Sequence, residues 1–213
     1  MCCSNPYDQK VAAPSKPRVI SACLLCGLVL VLFVWNVERH AFLGDDAFIS
    51  FRYAENLHEG RGLVWNPGER VEGYTNFLWV VMMAMGMMLR IRPELLSSIV
   101  GIASGAVVLV TLVRLSARRH GLWSPLIWLA PAVLAASRTF TAWCTGGLET
   151  MFFTMLIFLA LVGFAEEWKD PARSPVRSAF LFALAALTRP EGNIFAAVAG
   201  LIFAVAVFRR RRS

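Results

Sequence analysis

Charge is scarce in this chain. Only 16% of its 213 residues are Asp, Glu, Lys or Arg and 57% are hydrophobic, whereas soluble domains carry about 25% charged residues. With a mean hydropathy of +0.59, an ordinary soluble domain is excluded. Metal-ligating side chains are equally thin, with three His and five Cys. Cys23 and Cys26 lie three apart in an apolar helix, but no second pair accompanies them and a structural metal site takes three or four ligands. They read as small core residues, and Cys144 reads as a packing residue. Cys2 and Cys3 fit either an acylated or an unmodified N-terminus. No Gly-rich nucleotide loop is present, and the hydropathy pattern shows no inverted repeat of the kind common in transporters. No small-residue cleavage pattern follows the first apolar run, only Val37-Glu38-Arg39-His40. Residues 19–36 are therefore an uncleaved first span behind a cytoplasmic tail, 1–18.

What the chain has instead is apolar runs, at 19–36, 77–89, 95–113, 122–137, 151–165, 176–188 and 193–208. A span needs about 20 residues to cross roughly 30 Å of hydrocarbon. The run at 77–89 has thirteen. If it crossed, fourteen of the 21 Lys and Arg residues would face outward, inverting the positive-inside rule; if it stays on the outer face, thirteen lie inside and eight outside. The second arrangement is adopted. It makes the chain an all-α polytopic membrane protein with about six transmembrane helices, at 19–36, 95–113, 122–137, 151–165, 176–188 and 193–208. A first extracytoplasmic loop, 37–94, carries interfacial helices within the module 19–213. The net charge of +7 follows from retention signals between spans, so no nucleic-acid partner is implied.

Under this topology three polar segments emerge on one face: 45–76, 138–149 and 189–192. Asp45 and Asp46 open the first, where one of them caps a helix from Ala47 to about Glu59 that Gly60 and Gly62 stop. Arg52, Glu55, Asn56 and Glu59 share its polar arc, opposite Phe51, Ala54 and Leu57, as in a helix lying on the bilayer surface. Trp65-Asn66-Pro67-Gly68 has turn chemistry. Thr75 or Asn76 caps a second interfacial helix, 77–89, whose Trp79 suits the headgroup zone. One aspartate suffices for a cap, so the second has no structural task. Arg138 and Arg189 are each the one basic residue on a short outer loop, with Glu149 and Glu191 nearby. The break at Thr188-Arg189-Pro190-Glu191-Gly192 joins two helices at a polar corner.

In order, these motifs resemble the GT-C superfamily of integral-membrane glycosyltransferases, which take sugars from polyprenyl-phosphate carriers. The stretch from Asp45-Asp46 to Tyr53, then Gly62-Leu63-Val64-Trp65-Asn66-Pro67-Gly68-Glu69-Arg70-Val71-Glu72-Gly73-Tyr74-Thr75-Asn76-Phe77-Leu78-Trp79, is similar to the terminal arabinofuranosyltransferase branch. Gly146-Gly147-Leu148-Glu149-Thr150 and Leu187-Thr188-Arg189-Pro190-Glu191-Gly192 extend the match. Family enzymes have about twice as many spans, so the chain reads as the N-terminal half of such an enzyme or a truncated one.

The resemblance implies a catalytic base at Asp45 or Asp46. It also implies substrate contacts at Arg52, Tyr53, Asn66, Glu72, Tyr74, Asn76, Arg138, Glu149, Arg189 and Glu191. Arg52, Arg138 or Arg189 would hold the departing phosphate, and Tyr53, Trp65, Tyr74 and Trp143 are candidates to stack on sugar or to border the prenyl chain. The implied partners are a polyprenyl-phosphate sugar donor, a glycan, lipid or protein acceptor, and membrane lipid. No cofactor is demanded, although the carboxylates admit a divalent metal. The implied location is the bacterial cytoplasmic membrane, with the active face extracytoplasmic. Two other classes fit the same residues: a lipid-linked-sugar flippase or transporter module, and a non-catalytic scaffold.

Overall fold

The computed structural model describes residues 16–69, 71–121, 123–169 and 174–212. Cys2, Cys3, Lys10, Arg70 and Arg173 lie outside these, as does all but the end of the expected tail. About three-quarters of the described residues are helical, and none of them is in a strand.

Helix α1, Lys16–Arg39, turns Val29, Phe33, Asn36 and Val37 inward and leaves Leu24, Leu28, Val31 and Val34 exposed. Two short helices follow, α2 (Ala47–His58) and α3 (Phe77–Met88). The long α4, Pro93–His120, starts on a proline whose missing N–H costs nothing at a helix N-terminus. It ends on Arg118, Arg119 and His120, which complement the helix dipole. A 3₁₀ turn at Pro125–Trp128 leads into α5 (Leu129–Ala136), and Ser137 caps α6 (Arg138–Ala142) by accepting from the Phe140 N–H. Then come α7 (Thr150–Lys169), α8 (Val176–Thr188) and α9 (Gly192–Arg212).

Three of the expected spans coincide with helices long and apolar enough to cross a membrane: Val19–Arg39, Pro93–His120 and Thr150–Lys169. The other three fall on shorter apolar helices, Pro125–Ala136, Val176–Thr188 and Gly192–Ala206, in the same class as Phe77–Met88. The twelve residues of α3 rise about 18 Å, less than the hydrocarbon thickness.

Three apolar clusters hold the helices together. In the first, α2 lies on α3 through Ala47, Phe51, Ala54, Val80 and Met83, with Leu148 and Phe152 against them. The second joins α1 to α5, α6 and Cys144. Here Asn36 Nδ2 donates to the Ala135 carbonyl at 3.1 Å, one of the orphan acceptors at the end of α5. The third packs α7, α8 and α9 through Leu156, Ala160, Phe182, Ala185 and Ala199. Small residues on α4 set its closest approach. A Cβ on Gly101 would stand 2.1 Å from the Cys144 carbonyl oxygen, so only glycine lets the 143–149 segment lie against that helix.

Five local expectations change. Trp79 is no interfacial anchor: it is fully buried, and its Nε1 donates to the Gly147 carbonyl at 3.2 Å. Asn56 leaves the polar arc and is fully buried, donating to the Val64 and Trp65 carbonyls and accepting from Arg61 Nε. Asp46 stands at the N-cap of α2 without a side-chain cap bond, because backbone carbonyls of residues 44–46 already accept from the first helical N–H groups. Asn76, at the N-cap of α3, makes no cap bond either; its Nδ2 donates to Ser50 and Glu149 and its Oδ1, the atom that would accept a cap bond, has no partner. Cys23 faces outward and Cys26 is half-buried, so neither is a core residue, whereas Cys144 is buried as expected. The turn chemistry holds. Gly60, Gly62 and Gly68 take positive φ, and the Glu69 N–H donates to the Asn66 carbonyl at 3.1 Å.

Candidate active site

The polar segments meet at one end of the bundle. The Gly44 N–H donates to the Gly146 carbonyl at 3.1 Å, and the Phe42 N–H donates to Thr145 Oγ1 at 3.2 Å. Gly147, with φ +81°, backs onto Leu43 and Ala47. These contacts fix the Asp45-Asp46 corner against the Gly146-Gly147 loop. Both aspartates are exposed, and neither carboxylate has a hydrogen bond or ion pair among the described residues. A carboxylate with no partner is free to accept a hydrogen bond from a hydroxyl, or its proton.

Behind the corner lies a buried chain of polar contacts. Glu149, only 4% exposed, accepts from Arg189 Nε at 2.7 Å through Oε1 and from Asn76 Nδ2 at 2.7 Å through Oε2. The same amide donates to Ser50 Oγ at 2.9 Å. One chain of contacts thus ties α2, α3, the start of α7 and the turn between α8 and α9. The guanidinium of Arg189 also lies 5.9 Å from the Phe153 ring centroid. Asn76 Oδ1 is buried with no partner.

The other predicted residues are distributed around this network. Tyr53 is enclosed: its hydroxyl donates to the Val71 carbonyl at 2.8 Å and accepts from the Gly73 N–H at 2.9 Å. Its ring stands 4.8 Å from that of Tyr74 and 5.9 Å from that of Trp65. Burial, the Glu72 carboxylate and Tyr53 together push the Tyr74 phenol above its usual range, so it stays a donor. Asn66 and Glu72 are exposed on the 61–76 loop, Asn66 donating to Glu69 at 3.1 Å. Arg52 pairs with Glu55 at 2.9 Å on the surface. Arg138 and Glu191 are exposed and have no ion pair among the described residues. Trp143 packs edge-on against Phe42 at 5.4 Å, and burial pushes the Cys144 thiol up to about 12.

Ser50 was missed, although a signal existed. It lies three residues after Ala47 and four before Ala54, hence on the apolar face of α2, and a hydroxyl there needs a partner. Among the described residues no three His, Cys, Asp or Glu side chains gather as a metal site would require. The opposite end of the bundle is basic. There Arg118 and Arg177 pair with Glu166, and the Ser178 N–H donates to Glu167 at 3.2 Å.

The chain is 30% identical, over 215 aligned positions, to the terminal beta-(1->2)-arabinofuranosyltransferase of Mycobacterium tuberculosis (strain ATCC 25618 / H37Rv). The likeness supports a glycosyltransferase relationship. It takes in 90% of this chain and 33% of that enzyme, so the chain spans about a third of the length of the relative. No protein-family model matches the chain, and no solved structure does. With its three long and several shorter apolar helices, the chain has the build of a multi-pass membrane protein.

Proposed function

We propose that this chain is a membrane glycosyltransferase module that moves a sugar from a polyprenyl-phosphate carrier to an extracytoplasmic glycan, lipid or protein acceptor. The observation that carries the reading is the 30% identity to an arabinofuranosyltransferase across nine-tenths of the chain. The geometry supports it by leaving two carboxylates unpaired beside the Gly146-Gly147 loop, at the end where Arg138 and Arg189 also lie.

In this reading Asp45 or Asp46 accepts the proton of the acceptor hydroxyl. The acceptor oxygen bonds to the anomeric carbon, the carbon–oxygen bond to phosphate breaks, and the polyprenyl phosphate leaves with the bonding pair. A positioned base is worth about 10²–10⁴-fold in rate. Arg138 and Arg189 stabilise the leaving phosphate, while Asn66, Glu72, Tyr74 and Glu191 are the accessible polar groups for sugar and acceptor. Tyr53, Asn76 and Glu149 are enclosed by the protein's own hydrogen bonds and act behind them. In this reading the end that carries the aspartates faces the extracytoplasmic side of the bacterial cytoplasmic membrane, and the positive-inside rule supports it, since the adopted topology assigns thirteen Lys and Arg residues to the other side.

The test is transfer from radiolabelled polyprenyl-phosphate sugars in membranes carrying the chain. Asp45→Asn or Asp46→Asn abolishes transfer and leaves membrane insertion intact. Activity that survives both single changes and the double change removes the assignment of the base.

A further inference from the structure

We infer that the basic end of the bundle holds a binding site for an anionic glycerophospholipid, its phosphate on Arg118 and Arg177 and one acyl chain between α8 and α9. The site lies at the end opposite the Asp45-Asp46 corner and does not depend on the proposed transfer reaction.

One carboxylate sets two cations side by side. Glu166, near the end of α7, pairs with Arg118 of α4 through Oε1 and with Arg177 of α8 through Oε2, the second at 3.5 Å. The arginine side chains remain 65% and 61% exposed, so the N–H groups not given to Glu166 are open to a second acceptor. Arg114, one turn before Arg118 on the same face of α4, is exposed as well, and so is Lys169. The second carboxylate at this end is engaged elsewhere. Glu167 serves the start of α8, where it accepts from the Ser178 N–H at 3.2 Å and from the Ser178 hydroxyl. What faces outward is a pair of guanidiniums on a common support, which matches the oxygens of an anionic phosphate.

The surroundings point to a phosphate borne by a diacyl lipid. A cavity of about 280 Å³ is lined by Glu166, Glu167, Ser174 and Arg177 itself. It adjoins an apolar groove of about 580 Å³ between α8 and α9, lined by Phe164, Phe182, Ala186 and Phe203. Ser178 is the shared wall: it lines the groove, it is bonded to Glu167, and Gly163, which lines the cavity, backs onto it. From Pro175 to Leu187 the groove follows α8 for about 18 Å. Half of the hydrocarbon core is about 15 Å, so the groove has the length of an acyl chain in one leaflet. Trp168, exposed at the same end with its ring 5.9 Å from that of Phe164, has the place of an interfacial indole.

The experiment is native mass spectrometry of the whole chain in detergent micelles, titrated with phosphatidylglycerol or with phosphatidylcholine of the same acyl chains, and it reads the Kd of the first lipid bound. Phosphatidylglycerol binds more tightly. Arg118→Gln and Arg177→Gln each weaken it about fivefold, the factor for one basic residue beside an anionic head. Glu166→Gln weakens it too, although that variant gains positive charge, because the guanidiniums lose their common support. Ala183→Phe fills the groove from an exposed position with every charge in place and weakens both lipids. Arg92→Gln, at the other end of α4, leaves both values unchanged. Melting temperatures establish that each variant is folded. Equal Kd values for the two lipids, or unaltered binding when Arg118→Gln and Arg177→Gln are combined, overturn the site. Tighter binding in Glu166→Gln, or an equal loss in Arg92→Gln, means attraction by general charge and overturns the positioned pair. Full binding in Ala183→Phe overturns the seat for the chain, and displacement of phosphatidylglycerol by inorganic phosphate at equal concentration overturns the preference for a lipid.

Discussion

Replacing Gly147 by alanine tests whether the Asp45-Asp46 corner is built on the contact seen here. Gly147 has φ +81°, and a Cβ there would stand 2.5 Å from Leu43 Cδ1 and 2.6 Å from Ala47 Cβ. Two costs follow. A left-handed backbone at a residue with a Cβ costs about 1–2 kcal/mol, and overpacking a filled site costs about 1–3 kcal/mol, giving about 2–5 kcal/mol in all. Leu43 can swing aside, but Ala47 is the first residue of α2 and moves only with that helix. Gly62 separates the two terms: its φ is +85° and a Cβ there meets nothing within 4 Å, so Gly62→Ala bears only the first cost, about 1–2 kcal/mol. Unfolding of the two variants in mixed micelles, followed by tryptophan fluorescence, gives the difference. Gly147→Ala loses about 1–3 kcal/mol more than Gly62→Ala and frees the Trp79 indole from the Gly147 carbonyl. An equal or smaller loss in Gly147→Ala refutes the close packing of this loop on α2.

The Arg189–Glu149 pair is asymmetric in exposure, so its two truncations differ. Arg189→Ala strands a carboxylate that is 4% exposed and is the more destabilising, approaching the roughly 3–5 kcal/mol of a broken buried pair; Glu149→Ala leaves a cation able to reach solvent, and a thermal-melt comparison with the reverse order contradicts this. Cys144, 1% exposed with its thiol pushed up to about 12, resists maleimide at pH 8 in the folded protein and reacts on unfolding. Because an unfolded thiol ionises near 9.0 and the folded one does not until about 12, the unfolded state holds fewer protons between those values, and this residue's contribution to stability falls as pH rises through that window; protection that fails in the folded protein at pH 8 refutes the burial. Cysteines introduced at Arg118 and Arg138 label from opposite sides of the membrane, since Arg118 pairs with Glu166 at the basic end and Arg138 starts the segment that joins the acidic end; labelling from one side removes the proposed topology.

The sequence by itself determined the fold class and which segments carry the polar residues of the candidate site. Apolar runs of spanning length need no partner to declare themselves, because the bilayer acts on composition and length alone. Glycines forced to positive φ and the Thr188–Gly192 break are likewise local, which is why the ends of α2 and α8 and the turn at Asn66–Glu69 agree with the expectation. Only the tertiary structure decided what each polar side chain does. A helical wheel placed Asn56 with Arg52 because it counts angle and not neighbours, yet the returning 61–76 loop covers that position and turns a surface amide into a buried tie. Trp79 looked like an anchor for the same reason, since composition cannot tell an indole facing headgroups from one facing Gly147. Asp46 and Asn76 sit where caps belong, yet neither makes one: backbone carbonyls serve the first helix, and at the second the Asn76 amide donates to a carboxylate 73 residues away while its oxygen stays without a partner. Glu149, Asn76, Ser50 and Arg189 are distant in sequence and find one another only through packing, which is the step that no local pattern encodes.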